Sequence, residues 1–171
     1  MALFPITSAD TSEDHSIAGE TFSVAKDTTP ASNAELPFLL LKNPIGTAIG
    51  LNILSLVSSA IAHSGSPTGV QTVVRVYGDP TIISDGTVQP IHKQKIGAPN
   101  TTVMEAFSNP TVSAFGDLLD VWAVSSMGEA AEDDIIDYSL IATSGHNILV
   151  TTEGTVNGPS EIAVVIEWSE F

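Results

Sequence analysis

Apolar and polar residues alternate in short runs along most of this chain, and Gly, Pro, Asn and Asp separate the runs. In the run 71–78, Val74 and Val76 fall on one face, because successive side chains of a strand point to opposite sides. In the run 161–170, one face holds Ile162, Val164, Ile166 and Trp168. About nine such runs, without a long 3.6-residue period, predict an all-β fold. We expect an antiparallel β-sandwich that resembles a jelly roll.

Two segments have patterns of their own. The run 48–57 (AIGLNILSLV) fits neither the helix period nor the strand period cleanly, and Gly50 with the β-branched residues favours a buried strand. Further along, the runs 81–83 and 87–91 flank Asp85-Gly86, the dipeptide most typical of a tight β-hairpin. The sequence therefore predicts a buried strand in the first segment and a hairpin in the second.

Residues 1–35 differ in composition from the rest of the chain. They are rich in Ser, Thr, Asp, Ala and Pro, and only 21–25 (TFSVA) alternates like a strand. Because so few apolar side chains cannot form a core, we predict an extended polar N-terminal arm over 1–35 and a β-sandwich domain over 36–171. The chain start lacks the basic region of a secretory signal, and the run 45–62 is too short and polar for a membrane span. We expect a soluble protein.

Charge narrows the class of partner. The 171 residues include 20 acidic and 5 basic side chains, for a net charge of −15, and no cysteine. Nucleic acid is excluded as a partner because phosphate binding needs clustered Lys and Arg, and cysteine-zinc sites and disulfides are excluded as well. Residues 96–171 carry twelve acidic side chains and no Lys or Arg. This half is either simply well solvated or faces a basic surface on a partner or a neighbouring copy.

A short motif occurs twice at an offset of 30 residues: YGDPTI (77–82) matches FSNPTV (107–112), and Gly86 and Gly116 follow at the same distance. In each copy an aromatic strand end leads into Asx-Pro, which fixes φ and cannot continue a ladder. The glycine then permits the next reversal. The copies are either a common turn that recurs by chance or two equivalent corners of a Greek-key or jelly-roll sandwich.

Motifs of catalysis and metal binding are missing from the sequence. None of the four histidines (His15, His63, His92 and His146) has a partner at metal-ligand spacing, and we interpret those of the arm and the Gly/Ser loops as solvated. No G-x-S-x-G elbow, G-x-G-x-x-G or P-loop occurs. The acidic cluster 129–137 offers oxygen ligands but does not match an EF-hand, so a solvated loop is the simpler interpretation. We predict no catalytic residue, no cofactor and no metal.

The two tryptophans leave a choice open. Trp122 and Trp168 fall in apolar strand patterns, which favours packing in the core. An exposed tryptophan ring would instead suit stacking against a sugar.

Several segments carry a family resemblance: PFLLLKNP (37–44), VVRVYGDPT with DGT (73–81 and 85–87), NPTVSAFG (109–116) and AVVIEWSE (163–170). Together they resemble small β-sandwich structural proteins of bacteriophage virions, over about residues 36–171 and more by texture than by an invariant motif. The resemblance implies a polar arm before a jelly-roll-like sandwich. It also implies a protein that decorates or cements the head shell, commonly as a trimer, or that sits on the tail or a fibre. It brings no catalytic residues.

Three functional hypotheses follow. The first is a non-enzymatic virion structural protein, a capsid decoration or cement protein that binds the major capsid protein or another virion protein as a homo-oligomer, with a trimer favoured. It would be soluble in the host cytoplasm before assembly. The second is a receptor- or carbohydrate-binding module of a tail or fibre. The third is a hydrolase, which would need a His within hydrogen-bond reach of a Ser or an acid in a pocket. The side chains expected to meet a partner are Phe4, Phe22, Val24, Glu129, Glu132, Asp133 and Asp134.

Overall fold

The computed structural model describes residues 21–28, 34–62, 70–93, 97, 101–127, 130–131, 134–154 and 160–170. In these ranges every regular element is a strand. The strands in chain order are β1 (Thr21–Thr28), β2 (Leu36–Lys42), β3 (Leu51–Ala62), β4 (Val70–Gly78), β5 (Thr81–Ser84), β6 (Thr87–Val88), β7 (His92–Lys93), β8 (Glu105–Ser108), β9 (Thr111–Ala114), β10 (Asp117–Met127), β11 (Ala130–Ala131), β12 (Asp134–Ala142), β13 (Asn147–Gly154) and β14 (Ser160–Glu170). Over the ranges given, the structure contains no helix that could cross a membrane.

The strands form two antiparallel sheets and one separate pair. Sheet A has the order β12-β3-β14-β1-β7, and sheet B has the order β11-β10-β4-β13-β2-β8-β6. The pair β5–β9 is called the ribbon below. The core lies between sheets A and B, where Phe22, Ile166 and Trp168 of sheet A join one apolar cluster with Leu39 and Val76 of sheet B. The predicted antiparallel β-sandwich is confirmed, and its likeness to a jelly roll stays a prediction.

The predicted strand faces are also confirmed where alternation is uninterrupted. All four apolar residues of one β14 face are buried in the core, as are Val74 and Val76 of β4. Trp168 stacks on Phe22 with ring centroids 6.1 Å apart. Trp122 of sheet B donates its Nε1–H to Oγ of Ser58 in sheet A at 2.7 Å. Both tryptophans therefore contribute to the contact between the sheets.

The pairing of β3 explains the ambiguous pattern of 48–57. Its buried positions are Leu51 and Ile53, then Leu56 and Ser58. Between these two pairs the register against β14 shifts, so that Leu54 is an extra residue on β3. A β-bulge of this kind moves the inward face by one position. The buried residues on either side of the bulge are therefore three apart, which imitates a helix period inside a strand.

The predicted hairpin at Asp85-Gly86 is wrong. The strands β5 and β6 flank this dipeptide but do not pair with each other. Instead β5 pairs with β9 in the ribbon, and β6 pairs with β8 in sheet B. The turn residues therefore carry the chain from one sheet to another.

Strand β1 lies within the segment that the sequence assigned to the arm. It pairs along its 8 residues with β14, the C-terminal strand. The sandwich therefore includes 21–28, because the apolar alternation of 21–25 outweighs the polar composition around it. Residues 1–20 and 29–33 lie outside the described residues, so the rest of the arm stays a prediction.

An internal two-fold axis organises sheet B and the ribbon. In two cases one ladder pair is converted into another by adding 30 to the number of one partner and subtracting 30 from that of the other. These are Leu118–Tyr77 with Val88–Phe107, and Thr81–Ala114 with Ser84–Thr111. The pair Leu40–Leu149, where β2 meets β13, lies on the axis. The repeated motif therefore forms two equivalent corners and is not a turn that recurs by chance.

Each corner is closed by the glycine of the other copy. The corner residues Asp79 and Asn109 have positive φ angles of 53° and 50°. A Cβ atom on Gly86 would overlap the second corner and lie 2.8 Å from the carbonyl oxygen of Asn109. A Cβ atom on Gly116 would overlap the first corner and lie 2.9 Å from the carbonyl oxygen of Asp79. Because only a residue without Cβ fits there, the two copies interlock.

Candidate binding surfaces

The structure separates the residues that the sequence proposed for partner binding. Phe22 and Val24 are 1% and 0% exposed, so they lie in the core of their own chain and not on a face turned to a partner. Asp134 begins β12, where its backbone pairs with Ser58. Phe4, Glu129, Glu132 and Asp133 lie outside the described residues. A role of the arm and of the acidic loop in binding stays a prediction.

The ribbon packs on the outer face of sheet B through a second apolar cluster. Its members are Leu40, Tyr77, Phe107 and Leu149 of the sheet and Ile82, Val112 and Phe115 of the ribbon and its turn. The rings of Tyr77 and Phe115 lie 5.4 Å apart. Leu40 is thus buried outside the sheet while its neighbours Leu39 and Leu41 are buried inside. This double burial accounts for the unbroken apolar run of β2 and fixes the ribbon in place.

Exposed apolar side chains surround the ribbon. Ile83 on β5, Val88 on β6, and Leu118 and Val121 on β10 are 67%, 71%, 54% and 49% exposed. Val88 and Leu118 are equivalents under the two-fold axis. None of the side chains of β5 and β9 is charged, although the chain carries a net charge of −15. We call this surface of four residues the ribbon face. Val88 on β6 and Leu118 on β10 lie on opposite sides of the ribbon, since four strands of sheet B separate β6 from β10. Exposed apolar side chains around an uncharged ribbon are typical of interaction surfaces.

A polar network borders the ribbon on the same side of sheet B. A guanidinium nitrogen of Arg75 lies 2.7 Å from a carboxylate oxygen of Glu153 and 3.4 Å from one of Glu35. Thr151 donates its hydroxyl to the other oxygen of Glu35 at 2.5 Å. Burial, together with a hydrogen bond to Glu35, raises the pKa of Tyr77. Arg75 thus joins Glu35 and Glu153 by ion pairs, so the network holds the start of β2 against the sheet.

A cleft of about 240 Å³ opens at the first corner, where the edge strand β12 of sheet A meets strand ends of sheet B. We call it the corner cleft. Its lining includes the apolar side chains of Leu119, Leu140 and Ile148 and the polar ones of Asp79, Asp117 and His146. Nδ1 of His146 lies 2.8 Å from Oδ2 of Asp79, and the N–H of Asn147 donates to Oδ1 at 3.1 Å. The hydrogen bond from His146 lowers the pKa of Asp79.

The turn that carries His146 is held by a buried asparagine. Asn43 donates its amide to the carbonyl oxygens of Ile49 and Ala142, at 2.9 and 3.3 Å. The backbone carbonyl oxygen of Asn43 accepts a hydrogen bond from the N–H of Gly145 at 2.9 Å. Because buried amides of this kind rigidify the segments they join, the rim of the corner cleft is fixed before any ligand arrives.

The pair His146–Asp79 satisfies the geometric condition set above for a hydrolase, a His beside an acid in a pocket. Catalysis by such a pair also needs an activated nucleophile. In the same turn, the hydroxyl of Ser144 is engaged with the N–H of Gly46 and the carbonyl of Pro44. Within the part of the chain that the structure describes, no three acidic or histidine side chains are grouped to hold a metal.

The second corner is filled by a lysine of the chain itself. Lys26 donates from Nζ to Oδ1 of Asn109 at 2.6 Å and to the carbonyl oxygen of Phe38 at 3.1 Å. Its ammonium group also lies 4.2 Å from the centroid of the Phe38 ring. Burial lowers the pKa of Lys26 to about 8. The first corner thus differs from the second in having an open cleft beside it.

Comparisons with known proteins give no identity. No protein-family model matches the chain, and no curated protein matches it. The proposals below therefore rest on the surfaces and on the resemblance stated above.

Proposed function

We propose that the protein is a non-enzymatic structural protein of a bacteriophage virion, which decorates or cements the head shell as a homo-oligomer, with a trimer favoured. The observation that carries the proposal is the ribbon face. Its apolar side chains are exposed, uncharged and held on a rigid sheet. These side chains gain free energy by burial against a partner and carry no charge that would have to be desolvated.

The rigidity of this surface supports a binding role. The ribbon is fixed by the second apolar cluster below it and by the interlocked glycines at both its ends. A surface that is ordered before contact loses little conformational entropy on binding. The net charge of −15 adds attraction to a basic partner at long range, which steers encounters more than it strengthens the final contact.

A carbohydrate-binding module of a tail or fibre is the competing function. It would need an aromatic ring open to a sugar. Trp168 is fully buried, and Trp122 is partly buried with its Nε1–H bonded to Ser58. Neither tryptophan forms an open stacking platform, so the head decoration protein is the proposal that we prefer.

Particle reconstitution tests the proposal. Heads lacking this protein are mixed with the full chain or with the double variant Val88→Glu, Leu118→Glu, and binding is measured by co-sedimentation. We expect the full chain to bind and the variant to bind at least about tenfold more weakly, because an unpaired carboxylate at an apolar contact is costly.

Ile45→Glu is the matched control, because Ile45 is also an exposed apolar residue but lies outside the ribbon face. All variants should retain the unfolding midpoint of the full chain. Equal binding by the double variant would show that the ribbon face is not the contact, and attachment that ignores salt would count against the acidic charge.

A further inference from the structure

The two corners share a backbone arrangement. The N–H of Asp79 donates to the carbonyl oxygen of Asn147 at 2.9 Å, and the N–H of Asn109 donates to that of Phe38 at 3.1 Å. Asn147 and Phe38 each precede equivalent ladder positions of β13 and β2. The second corner can therefore serve as an internal reference for the first.

At this reference corner the chain seats a basic side chain. The ammonium group of Lys26 meets a corner side-chain oxygen, a backbone carbonyl and an aromatic face. The contact shows that an ammonium group on an alkyl stem fits against an Asx-Pro corner of this sandwich. It does so although Asn109 supplies no charge to balance the lysine.

At the first corner the surroundings are better suited to a cation. Asp79 stands where the second corner has Asn109, and Asp117 stands where it has Thr87. Asp117 lies directly opposite Gly78 in the ladder, so both carboxylates line the same end of the corner cleft. The side chain of Asp117 has no hydrogen bond or ion pair with any other residue described by the structure.

The size and lining of the cleft restrict its occupant. A volume of about 240 Å³ is below the roughly 300–1,000 Å³ typical of pockets for drug-sized ligands, which favours one side chain. Leu119, Leu140 and Ile148 give an apolar wall, and the alkyl stems of Lys and Arg pack on such surfaces while their charged ends stay at the polar rim.

We infer that the corner cleft binds a lysine or arginine side chain presented by a partner protein. The cationic end meets the carboxylates of Asp79 and Asp117, and the stem packs on Leu119 and Leu140. This inference rests on the proposed function, since it names the chemistry by which the partner is recognised beside the ribbon face.

The test is a heteronuclear NMR titration of the full chain with three probes of similar length. N-acetyl-arginine amide and N-acetyl-lysine amide carry the cation, and N-acetyl-norleucine amide has a comparable stem without it. We expect saturable shifts of the amides of Asp117, His146 and Asn147 with both cationic probes and not with the norleucine probe. Asp117→Asn should weaken binding about twofold to fivefold, as for an exposed ion pair.

Two variants complete the design. Asp79→Asn gives the first corner the residue that the second corner already accommodates at the same φ, so the fold should persist while affinity falls. Asp27→Asn removes an exposed carboxylate that does not line the cleft and should leave affinity unchanged.

Shifts spread evenly over the acidic surface, equal shifts with norleucine, or unchanged affinity of Asp117→Asn would each overturn the inference. Cleft binding by the probes without any attachment to heads would defeat the proposed function and leave the cleft assignment standing. Attachment to heads with no probe binding in the cleft would do the reverse.

Discussion

Replacing Gly116 by Ala should test whether the two corners interlock. At a φ of +97° an L residue is strained by about 1–2 kcal/mol. The added Cβ would also overlap the backbone of Gly78 and Asp79, which cannot rotate away as a flexible side chain can. Displacing well-packed atoms costs about 1–3 kcal/mol more. We therefore expect Gly116→Ala to lower the free energy of unfolding by about 2–5 kcal/mol.

Gly46 offers a matched control, because its φ is +88° and no atom lies within 4 Å of the position of an added Cβ. Gly46→Ala should therefore cost only the backbone strain of about 1–2 kcal/mol. Gly86→Ala should cost as much as Gly116→Ala, since the two glycines are equivalent under the internal two-fold axis.

Urea unfolding followed by tryptophan fluorescence measures these differences, because Trp168 is fully buried in the folded chain, and the m-value checks that the folded state is unchanged. A loss at Gly116 no greater than that at Gly46 would refute the interlocking of the corners. A large difference between Gly86→Ala and Gly116→Ala would refute their equivalence.

Three further changes test the ribbon and the two corners. Leu40→Ala should cost about 2–5 kcal/mol and speed hydrogen exchange of the ribbon amides more than those of sheet A; uniform acceleration would contradict a local role. The lowered pKa of Asp79 contributes stability that is present above its ordinary value of 3.8 and is lost as pH falls through the folded value. Asp79→Asn should therefore flatten the acid limb of stability below about pH 4, measured as urea midpoints. Lys26 has a folded pKa of about 8 against an ordinary 10.5, so its contribution is present above 10.5 and lost as pH falls through about 8. As pH rises from about 8 to 10.5, the parent chain should therefore gain stability relative to the Lys26→Met variant. Parallel pH profiles of stability for the two proteins would contradict the burial of the amine.

Alternation in the sequence predicts the fold where a strand pairs without interruption. The inward face of β14 is an example, because every second residue from Ile162 to Trp168 is apolar and buried. The same logic fails at Leu54, where a bulge shifts the face within one strand. It also fails at Asp85-Gly86, because a turn dipeptide specifies a reversal but not which strand the chain joins afterwards.

The candidate surfaces depend on residues far apart in the sequence. His146 and Asp79 are 67 positions apart, so no local spacing could connect them. From the sequence alone, His146 is therefore interpreted as a solvated loop residue. The repeated motif left two interpretations open, a turn that recurs by chance and two equivalent corners, and the ladder pairs decide for the corners. The motif could not indicate that β2 and β13 complete the corners. Leu40 and Leu149 lie outside the motif, in segments whose sequences do not resemble each other.

The last two strands of the chain lie inside the two sheets, which affects when the sheets can form during translation. Strand β13 lies between β4 and β2 in sheet B, and β14 lies between β3 and β1 in sheet A. Both sheets therefore lack a central strand until residues 147–170 have left the ribosome. Because such distant pairings form late and slowly, β1 and the apolar β2 have only β7 and β8 as partners through most of translation. We expect a chain truncated before residue 147 to have no folded core, so that only chains translated through β14 can fold.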